Sequence, residues 1–510
     1  ATAPAAPLDL DDAYLRLRRI TAMPGNEADL ELTPAGDRFI FTAQAGGAAP
    51  PPGTPSGGGA SGAGRATFTV DKDGGEPRRI AAAVNVQGLS LTGDKAVVVE
   101  GNRAALLKLP SGELEYLDIS DRLTIDLARQ SEQKFLEAAR IIGLSHYDPH
   151  LNGLDWPALT RRYLELVREA LTPDEFDHVA GRFVGELNSS HQGINSPEPR
   201  NEIQQPVGRL GIQHRRVADG YEVVRVFANG PADKGAMRLR AGDVLTAVDG
   251  MDFSGSATLD TLLAGKVDRE VRLTVRRKID DVERTIDLLI TPIGSQAETA
   301  LFYNDWRALT ARKVDELSGG KIGYIHIRGM DQNSLDVFER DLYAAADGKK
   351  GLIIDVRNNG GGWTADRLLA SIMYPRHAYT RPRGVSESVR DAYPNDRLFI
   401  ARYDLPINML CNEKSFSNAE IVAHAFKTLQ RGTLVGQQTA GGVISTGATT
   451  LIDGTVVRTP FRGWWTRDHV NMELNGAMPD LLVPQTPEAE ARDEDEQLKA
   501  AVEDLLKRVE

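Results

Sequence analysis

The chain has 510 residues, a length that allows about three to five domains of ordinary size. Hydrophobic residues make up 41% and charged residues 26%, which is ordinary for a globular protein with a full core. The formal net charge of −12 argues against a nucleic-acid surface, which needs a concentrated positive field. The single cysteine, Cys411, excludes an intramolecular disulfide and a metal site built from cysteines.

No stretch approaches the ~18 consecutive apolar residues of a transmembrane helix, so no membrane span is predicted. The chain begins Ala-Thr-Ala-Pro, without Met and without a basic-then-apolar signal segment. Such a start indicates a processed or truncated end, and the sequence pattern leaves the compartment open.

Residues 1–118 are predicted to form the end of a β-propeller or blade-like strands. A turn containing Gly and Asp precedes an alternating strand in residues 31–44, and a similar unit recurs in residues 89–100. A closed propeller needs about four to eight blades, so the two blades found here predict only a partial propeller. Residues 45–66, rich in Gly, Ala, Pro and Ser, are predicted to be a disordered loop.

Residues 119–203 are predicted to form a helical domain. Apolar residues recur at three- and four-residue spacing in residues 131–142 and 156–170. Thr172 is a suitable cap for a further helix, because Pro173 then occupies the first helical position.

Residues 206–295 resemble the PDZ family, chiefly through the run from Gly230 to Gly250. PDZ domains bind an extended C-terminal peptide as an added strand and take its carboxylate in a glycine-containing loop. The resemblance assigns that loop to Arg209, Leu210, Gly211 and Ile212. A PDZ domain that serves only as a spacer is the alternative.

Residues 298–510 alternate short apolar runs with helical patterns, which predicts an α/β domain with a partly parallel sheet. Residues 321–327 and 351–356 are the first two strands in this interpretation. The tail, residues 488–510, is predicted to be one charged helix with a solvated face.

Three segments of this domain carry groups suited to catalysis. Glycine amides after a strand can stabilise an oxyanion, and a helix N-terminus favours negative charge on a nucleophile. Each segment alone is also consistent with an ordinary turn or helix cap. The segments are Asp355–Trp363, Asn412–Ile421 with Ser417 before a helix, and Leu434–Val443.

In this order the segments resemble the S41, or C-terminal-processing, peptidase family, whose catalytic domain has a crotonase-like α/β fold. Its tail-specific branch has a Ser-x-Ser-x-Ser-Glu pattern around the nucleophile and a later lysine as base. Here the pattern reads Ser415, Ser417, Ala419 and Glu420, and Gly442 stands where the lysine is expected. A Ser/Lys pair is therefore not available.

The tricorn branch of the family takes its base from a histidine ahead of the PDZ domain, in Gly-Glu-Leu-x-x-Ser-His. Residues Gly185–His191 match that pattern, and the order of blades, helices, PDZ domain and catalytic domain is also similar. The resemblance, over about residues 120–490, implies Ser417 as nucleophile and His191 as base. It further implies that Ser190 and Glu473 complete a Ser-His-Ser-Glu tetrad.

The resemblance also describes the surroundings of the nucleophile. The backbone N–H groups of Gly362 and Asn418 form the expected oxyanion hole. No metal and no organic cofactor is expected, the tricorn branch implies a cytoplasmic location and a possible homo-hexamer, and a removed signal would instead allow the periplasm. The expected substrate-binding residues are Gly360, Gly361, Gly362, Ile444, Ser445 and Thr446.

The resulting hypothesis is a serine endopeptidase that cleaves peptides or unfolded polypeptides through an acyl-enzyme. A non-catalytic scaffold of PDZ and propeller modules, or another serine hydrolase such as an esterase, is the alternative. A histidine base of ordinary pKa predicts activity that rises through pH ~6.5–7. Residues 373–383 contain no acid, which predicts apolar or acidic side chains before the cut bond, unless Asp366 fills the pocket.

Overall fold

The structure is a computed structural model, and its described part divides into two compact units, within residues 1–125 and within residues 126–510. It confirms the predicted fold class, a multidomain α/β protein with blade-like sheets, a helical part, a PDZ fold and an α/β domain. The described residues are 17–21, 23, 27–44, 65–82, 84–101, 103–109, 111–119, 124–197, 205–235, 238–373, 383–384, 386 and 402–509.

The first unit contains two four-stranded antiparallel sheets, each the size of a propeller blade. One sheet has the order β1 (Ala28–Leu32), β2 (Arg38–Gln44), β3 (Arg65–Asp71), β4 (Arg78–Ala82). The other has the order β5 (Asn85–Leu89), β6 (Lys95–Glu100), β7 (Arg103–Lys108), β8 (Glu113–Tyr116).

The repeated turn that predicted the blades has the same hydrogen bonds in both sheets. The hydroxyl of Thr33 donates to the carboxylate of Asp37 over 2.6 Å, and the hydroxyl of Ser90 donates to Asp94 over 3.0 Å. Ser90, not Thr92, therefore occupies the position equivalent to Thr33. A hydroxyl and a carboxylate four residues apart close the turn that leads into each inner strand.

The predicted disordered loop, residues 45–66, is too long at its C-terminal end. Strand β3 begins at Arg65, and Ala66 is fully buried opposite Ala43. The β-branched and aromatic residues from this point favour a strand over a loop, and the five central residues of β3 are buried. Residues 45–64 lie outside the described part of the chain.

The second unit begins with three helices around an aromatic core. Thr172 and Glu175 form a capping box at the third helix, with Pro173 in its first turn, as predicted. The ring of Phe183 contacts those of Phe135 and Trp156 at centroid distances of 4.7 and 4.5 Å. The elements are α1 (Leu127–Ser145), α2 (Trp156–Arg168), α3 (Pro173–Gly185) and the short strand β9 (Gly193–Asn195).

The PDZ fold follows as an antiparallel sheet in the order β10-β11-β12-β14-β15, with β13 paired to β12. Strand β10 lies at one edge of this sheet, so one side of it has no neighbouring strand within the sheet. The elements are β10 (Ile212–Val217), β11 (Gly220–Val226), β12 (Val244–Val248), β13 (Met251–Asp252), α4 (Leu259–Leu262), β14 (Val271–Ile279) and β15 (Val282–Ile290).

The last part of the chain is built on a parallel sheet in the order β16-β17-β18-β19-β22. A second, antiparallel sheet joins β20, β21 and the distant β9, so that the segment after α3 is held against this domain. The helices are α5 (Ser295–Ser318), α6 (Gln332–Ala344), α7 (Ala365–Ile372), α8 (Asn418–Thr428), α9 (Pro487–Ala491) and α10 (Glu496–Val509). The strands are β16 (Ile322–His326), β17 (Gly351–Asp355), β18 (Ile407–Cys411), β19 (Gly432–Gly436), β20 (Ser445–Thr450), β21 (Val456–Arg462) and β22 (Leu481–Leu482).

The prediction of one solvated tail helix over residues 488–510 is wrong. The tail contains two helices, and one face of α10 packs against the parallel sheet. The apolar residues of α10 recur at three- and four-residue spacing, and burying that stripe outweighs the solvation of the charged face. The buried residues are Gln497, Leu498, Ala501, Val502, Leu505 and Val509.

A buried ionic network lies at the carboxyl end of β17. The guanidinium of Arg357 contacts Asp355 over 2.7 Å and Asp495 over 2.8 Å, and it also donates to Gln497 over 3.2 Å. The hydroxyl of Tyr324 donates to Asp355 over 2.9 Å. Because Arg357 stands at the start of the glycine-rich turn, this network fixes that turn to the sheet and to α10.

We expect Arg357→Ala to lower the free energy of unfolding by about 3–5 kcal/mol, because it leaves the buried carboxylate of Asp355 without a countercharge. Chemical denaturation followed by circular dichroism measures the change. Arg492→Ala, which removes an exposed ion pair with Glu494, is the control and should leave the denaturation midpoint unchanged. An equal response of the two variants would contradict a structural role for the network.

Candidate active site

Ser417 lies between β18 and α8, with backbone angles of φ 58° and ψ −119°. A residue other than glycine is strained in this conformation, at a cost of about 1–3 kcal/mol. Two hydrogen bonds hold the turn: Ser417 N–H donates to Glu420 over 3.0 Å, and Phe416 N–H donates to the carbonyl of Asn359 over 2.9 Å. A strained serine at a strand-to-helix turn presents its hydroxyl away from the backbone, as nucleophiles do in other hydrolases.

Four predicted residues form one continuous chain of hydrogen bonds. His191 Nε2 lies 3.0 Å from Ser417 Oγ, and His191 Nδ1 lies 2.8 Å from Ser190 Oγ. Ser190 Oγ donates to Glu473 Oε2 over 3.2 Å, and Ser190 N–H donates to Glu473 Oε1 over 2.6 Å. The structure thus brings together Ser417, His191, Ser190 and Glu473 in the predicted order.

The hydrogen-bond chain determines the tautomer of His191. A carboxylate can only accept, so the single hydroxyl proton of Ser190 is directed to Glu473. Ser190 Oγ then accepts from His191 Nδ1–H, and the lone pair on Nε2 faces the hydroxyl of Ser417. This is the arrangement in which an imidazole can remove a proton from a serine.

Glu473 is held in place by the glycine turn of the third predicted segment. Its side chain is only 4% exposed, and it accepts from Val443 N–H over 3.1 Å in addition to Ser190. The carbonyl of His191 accepts from the hydroxyl of Thr446 over 2.9 Å. Hydrogen bonds therefore hold both the carboxylate of Glu473 and the backbone of His191 in place.

Burial lowers the pKa of His191 to about 4, and the positive charge of Arg458 acts in the same direction. The expectation of an ordinary histidine pKa near ~6.5–7 is therefore wrong for this environment. The ring of Phe416 covers the imidazole at 4.7 Å and nearly parallel, which contributes to its removal from water. The imidazole of His191 is therefore neutral at physiological pH, and its Nε2 is able to accept a proton.

The glycine-rich turn passes close to the nucleophile. At Gly361 an added Cβ would lie 2.6 Å from Ser417 Cβ and 3.0 Å from Asn418 N, so only glycine fits. Gly361 N–H donates to Asn359 Oδ1 over 2.9 Å and is not free. Within the part of the chain that the structure describes, the N–H groups of Gly362 and Asn418 donate to no protein acceptor, which leaves them available to an oxyanion.

Glu420 has a role that the sequence pattern did not reveal. Its carboxylate is fully buried and accepts from Ser417 N–H over 3.0 Å, Gly442 N–H over 2.8 Å and Thr439 Oγ1 over 2.6 Å, and also from Gly441 N–H. The turn that holds Ser417 and the turn that contains Gly441 and Gly442 are therefore joined through one side chain. The acid three residues after the nucleophile was the available signal.

The position where the tail-specific branch has its lysine cannot accept a side chain here. At Gly442 an added Cβ would lie 2.2 Å from the ring of Phe416, the same ring that covers His191. The lysine nearest in sequence to Gly442, Lys427, is ten residues along α8 from Ser417, roughly 15 Å at 1.5 Å per residue. Its ammonium binds the carbonyl of Met478 over 3.0 Å instead.

The remaining predicted site residues lie in two places, the segment after Val443 and the loop of the PDZ fold. Ile444 is buried, so any substrate contact must come from its backbone, and Ser445 Oγ accepts from Trp464 Nε1 over 3.3 Å. Arg209, Leu210 and Ile212 line a different pocket, between the PDZ fold and the start of α5. In the described part of the chain, no three His, Cys, Asp or Glu side chains are grouped as a metal site requires, and no helix has the length and apolarity to cross a membrane.

The segment predicted to line the side-chain pocket, residues 373–383, lies outside the described residues except for its two ends. Asp366, the alternative acid, is exposed in the first turn of α7. The preference for apolar or acidic side chains before the cut bond therefore stays a prediction.

Comparisons with known proteins agree with this geometry. Residues 321–483 match peptidase family S41, residues 208–289 match the PDZ domain, and residues 128–185 match the C1 domain of tricorn protease. Residues 321–483 therefore form an S41 peptidase domain. The matched C1 domain adds a specific likeness to tricorn proteases, which the next comparisons extend.

Tricorn protease homolog 1 of Streptomyces coelicolor is 30% identical over 392 residues, which cover 75% of this chain and 35% of that protein. Tricorn protease of Thermoplasma volcanium is 28% identical, over 68% of this chain and 33% of that protein. The crystal structure of a tricorn protease superposes with a TM-score of 0.81 at 22% identity, covering all of this chain and 49% of that one. The chain thus spans about a third of the length of these curated relatives.

We expect peptide hydrolysis to be independent of pH above about 6 and to fall in acid, because protonation of His191 near pH 4 removes the base. The measurement is kcat/KM across this range. Arg458→Gln should move the acid limb to higher pH, since it removes a charge that lowers the pKa of His191. Arg462→Gln on the same strand is the control, and a limb centred near ~6.5–7 in the wild type would contradict the assignment.

We expect Glu420→Gln to reduce the rate of acylation by about 10²-fold or more, because an amide cannot accept from all four donors and the nucleophile turn shifts. The rate of labelling by a fluorophosphonate, compared with the thermal midpoint, separates lost positioning from unfolding. Glu413→Gln, at an exposed position in the same turn, is the control. Unchanged labelling by Glu420→Gln would show that the turn keeps its geometry without the carboxylate.

Proposed function

We propose that this protein is a serine endopeptidase in which Ser417 is the nucleophile and His191 the general base. The observation that carries the proposal is the hydrogen-bonded series from Ser417 through His191 and Ser190 to Glu473. The names of the relatives, tricorn protease and its homologues, support the same class of activity. A neutral imidazole, oriented by a third group and within hydrogen-bond distance of a serine hydroxyl, is the arrangement that activates a serine for attack on an amide.

The proposed reaction has two halves. His191 Nε2 removes the proton of Ser417 as Oγ attacks the peptide carbonyl, and the oxyanion accepts from the N–H groups of Gly362 and Asn418. The imidazolium then donates its proton to the leaving amine, which leaves an acyl-enzyme on Ser417. In the second half a water molecule gives a proton to His191 Nε2 as its oxygen attacks the ester. The imidazolium then returns that proton to Ser417 Oγ as the ester bond breaks, which releases the acid and restores the free serine.

Peptides and unfolded polypeptides are the proposed substrates. In the part of the chain that the structure describes, strand β20 pairs with β21 alone and so lies at the edge of its sheet. Its second residue is Thr446, which contacts His191. An extended peptide can add to such an edge through main-chain hydrogen bonds, with Ile444, Ser445 and Thr446 as the nearest contacts. Trp363, half exposed beside Gly362, offers an apolar surface on the other side of the nucleophile.

The assembly and domain limits belong to the same proposal. We propose domains over residues 1–118, 119–203, 206–295 and 298–510. We also propose that the chain forms a homo-oligomer, specifically a hexamer, which the tricorn resemblance supports. The non-catalytic scaffold has no observation in its favour, because a scaffold does not need a strained serine within hydrogen-bond distance of a neutral histidine.

The decisive experiment is active-site labelling combined with peptide hydrolysis. Ser417→Ala should abolish both labelling by a fluorophosphonate and cleavage, with a loss on the order of 10⁶ in kcat, while His191→Ala should give a loss of similar size. Lys427→Ala should retain activity, because its ammonium binds the carbonyl of Met478. Activity of Ser417→Ala within tenfold of the wild type, or loss in Lys427→Ala alone, would overturn the proposal. Hydrolysis of esters but not of amides would place the protein among esterases.

A further inference from the structure

A second site lies in the PDZ fold. A pocket of about 480 Å³ opens between the loop Arg209–Ile212, the short helix α4 and the start of α5. Its apolar wall includes Leu259 and Leu263, and its open side runs along the edge strand β10. Groove, edge strand and glycine-containing loop are thus all present, as strand addition of a peptide requires.

The loop already holds a carboxylate of this chain. Gly211 N–H donates to Glu298 Oε1 over 3.3 Å, and Arg209 Nε lies 3.8 Å from Glu298 Oε2. The Glu298 side chain is only 15% exposed, and burial raises its pKa. Glu298 comes from the first turn of α5, outside the PDZ sheet, so a neighbouring element supplies the anion.

Packing around Glu298 fixes this arrangement. Leu301, on the same helix, lies against Gly211 and Gly230, where an added Cβ would be 3.1 and 3.0 Å from its Cδ1. The ring of Phe302 contacts that of Phe227 at 4.4 Å. The first turns of α5 are therefore seated on the loop by apolar contacts, and Glu298 is carried to the loop amide with them.

A second carboxylate at this loop would be close to the first. Like charges at one set of donors repel, and the loop has one glycine amide that Glu298 uses. The cation at this loop, Arg209, is shared between Glu298 and Asp260. The carboxylate of Asp260, on α4, lies 3.0 Å from the guanidinium of Arg209. One cation at the loop thus already faces two carboxylates before any ligand binds.

We propose that Glu298 occupies the carboxylate position of the PDZ groove, so that the groove takes an internal, amide-linked segment of an extended peptide and discriminates against a free chain end. The edge of β10 and the apolar wall remain open to such a segment. This inference concerns binding and is independent of the proposed peptidase activity.

Fluorescence polarisation tests the proposal on the full-length chain carrying Ser417→Ala, so that the probe stays intact if the protein is a peptidase. The probes are one fluorescein-labelled hexapeptide of apolar residues ending in Val, as the free acid and as the C-terminal amide. In this background we expect the amide to bind at least as tightly as the free acid. Adding Glu298→Ala should shift the ratio of the two Kd values toward the free acid by about tenfold.

Two further variants make the test specific. Glu298→Gln removes the charge but fills the space, and it should give a smaller shift than Glu298→Ala while keeping the helix packing. Glu316→Ala, at an exposed position near the other end of α5, should leave the ratio unchanged. A tenfold preference for the free acid before any change at Glu298, an unchanged ratio in Glu298→Ala, or no binding of either probe by any variant would overturn the proposal.

Discussion

Two buried carboxylates held by successive backbone N–H groups of one glycine turn underlie the whole site. Gly441 and Gly442 donate to Glu420, and Val443 donates to Glu473. Glu420 holds the turn that carries Ser417. Glu473 holds Ser190, which in turn orients the imidazole of His191. Because the donors are consecutive, the distance between the nucleophile and its base is set by the geometry of a single tight turn.

The lowered pKa of His191 changes how much each group of the proposed site contributes to lowering the reaction barrier. An imidazole that stays neutral is always ready to accept a proton, but it is also a weaker base than an ordinary histidine. Stabilisation of the oxyanion by fixed amides then carries a larger share of the barrier reduction. The close approach of Gly361 to Ser417, and the backbone strain stored at the nucleophile, are consistent with a site that depends on preorganised geometry.

The sequence was sufficient for features that follow from local patterns and from the family resemblance. It predicted the capped helix at Thr172, the blade turns, the PDZ fold and the four residues of the relay. It did not reveal the role of Glu420 or the pKa of His191, because both depend on segments distant in sequence that pack around a buried group. The burial of α10 was missed for a similar reason. Its many charged residues indicate an exposed helix, and its apolar stripe is buried only because the distant parallel sheet packs against it.

The short pairing of β9 with β21 limits how early the proposed site can form in a growing chain. His191 and Ser417 are 226 positions apart, and Glu473 follows Ser190 by 283 positions. A nascent chain that has left the ribosome only as far as the nucleophile lacks the orienting acid and the strand that holds the histidine segment. The hydrogen-bonded series can therefore form only after the chain has grown past Glu473 and β9 has paired with β21.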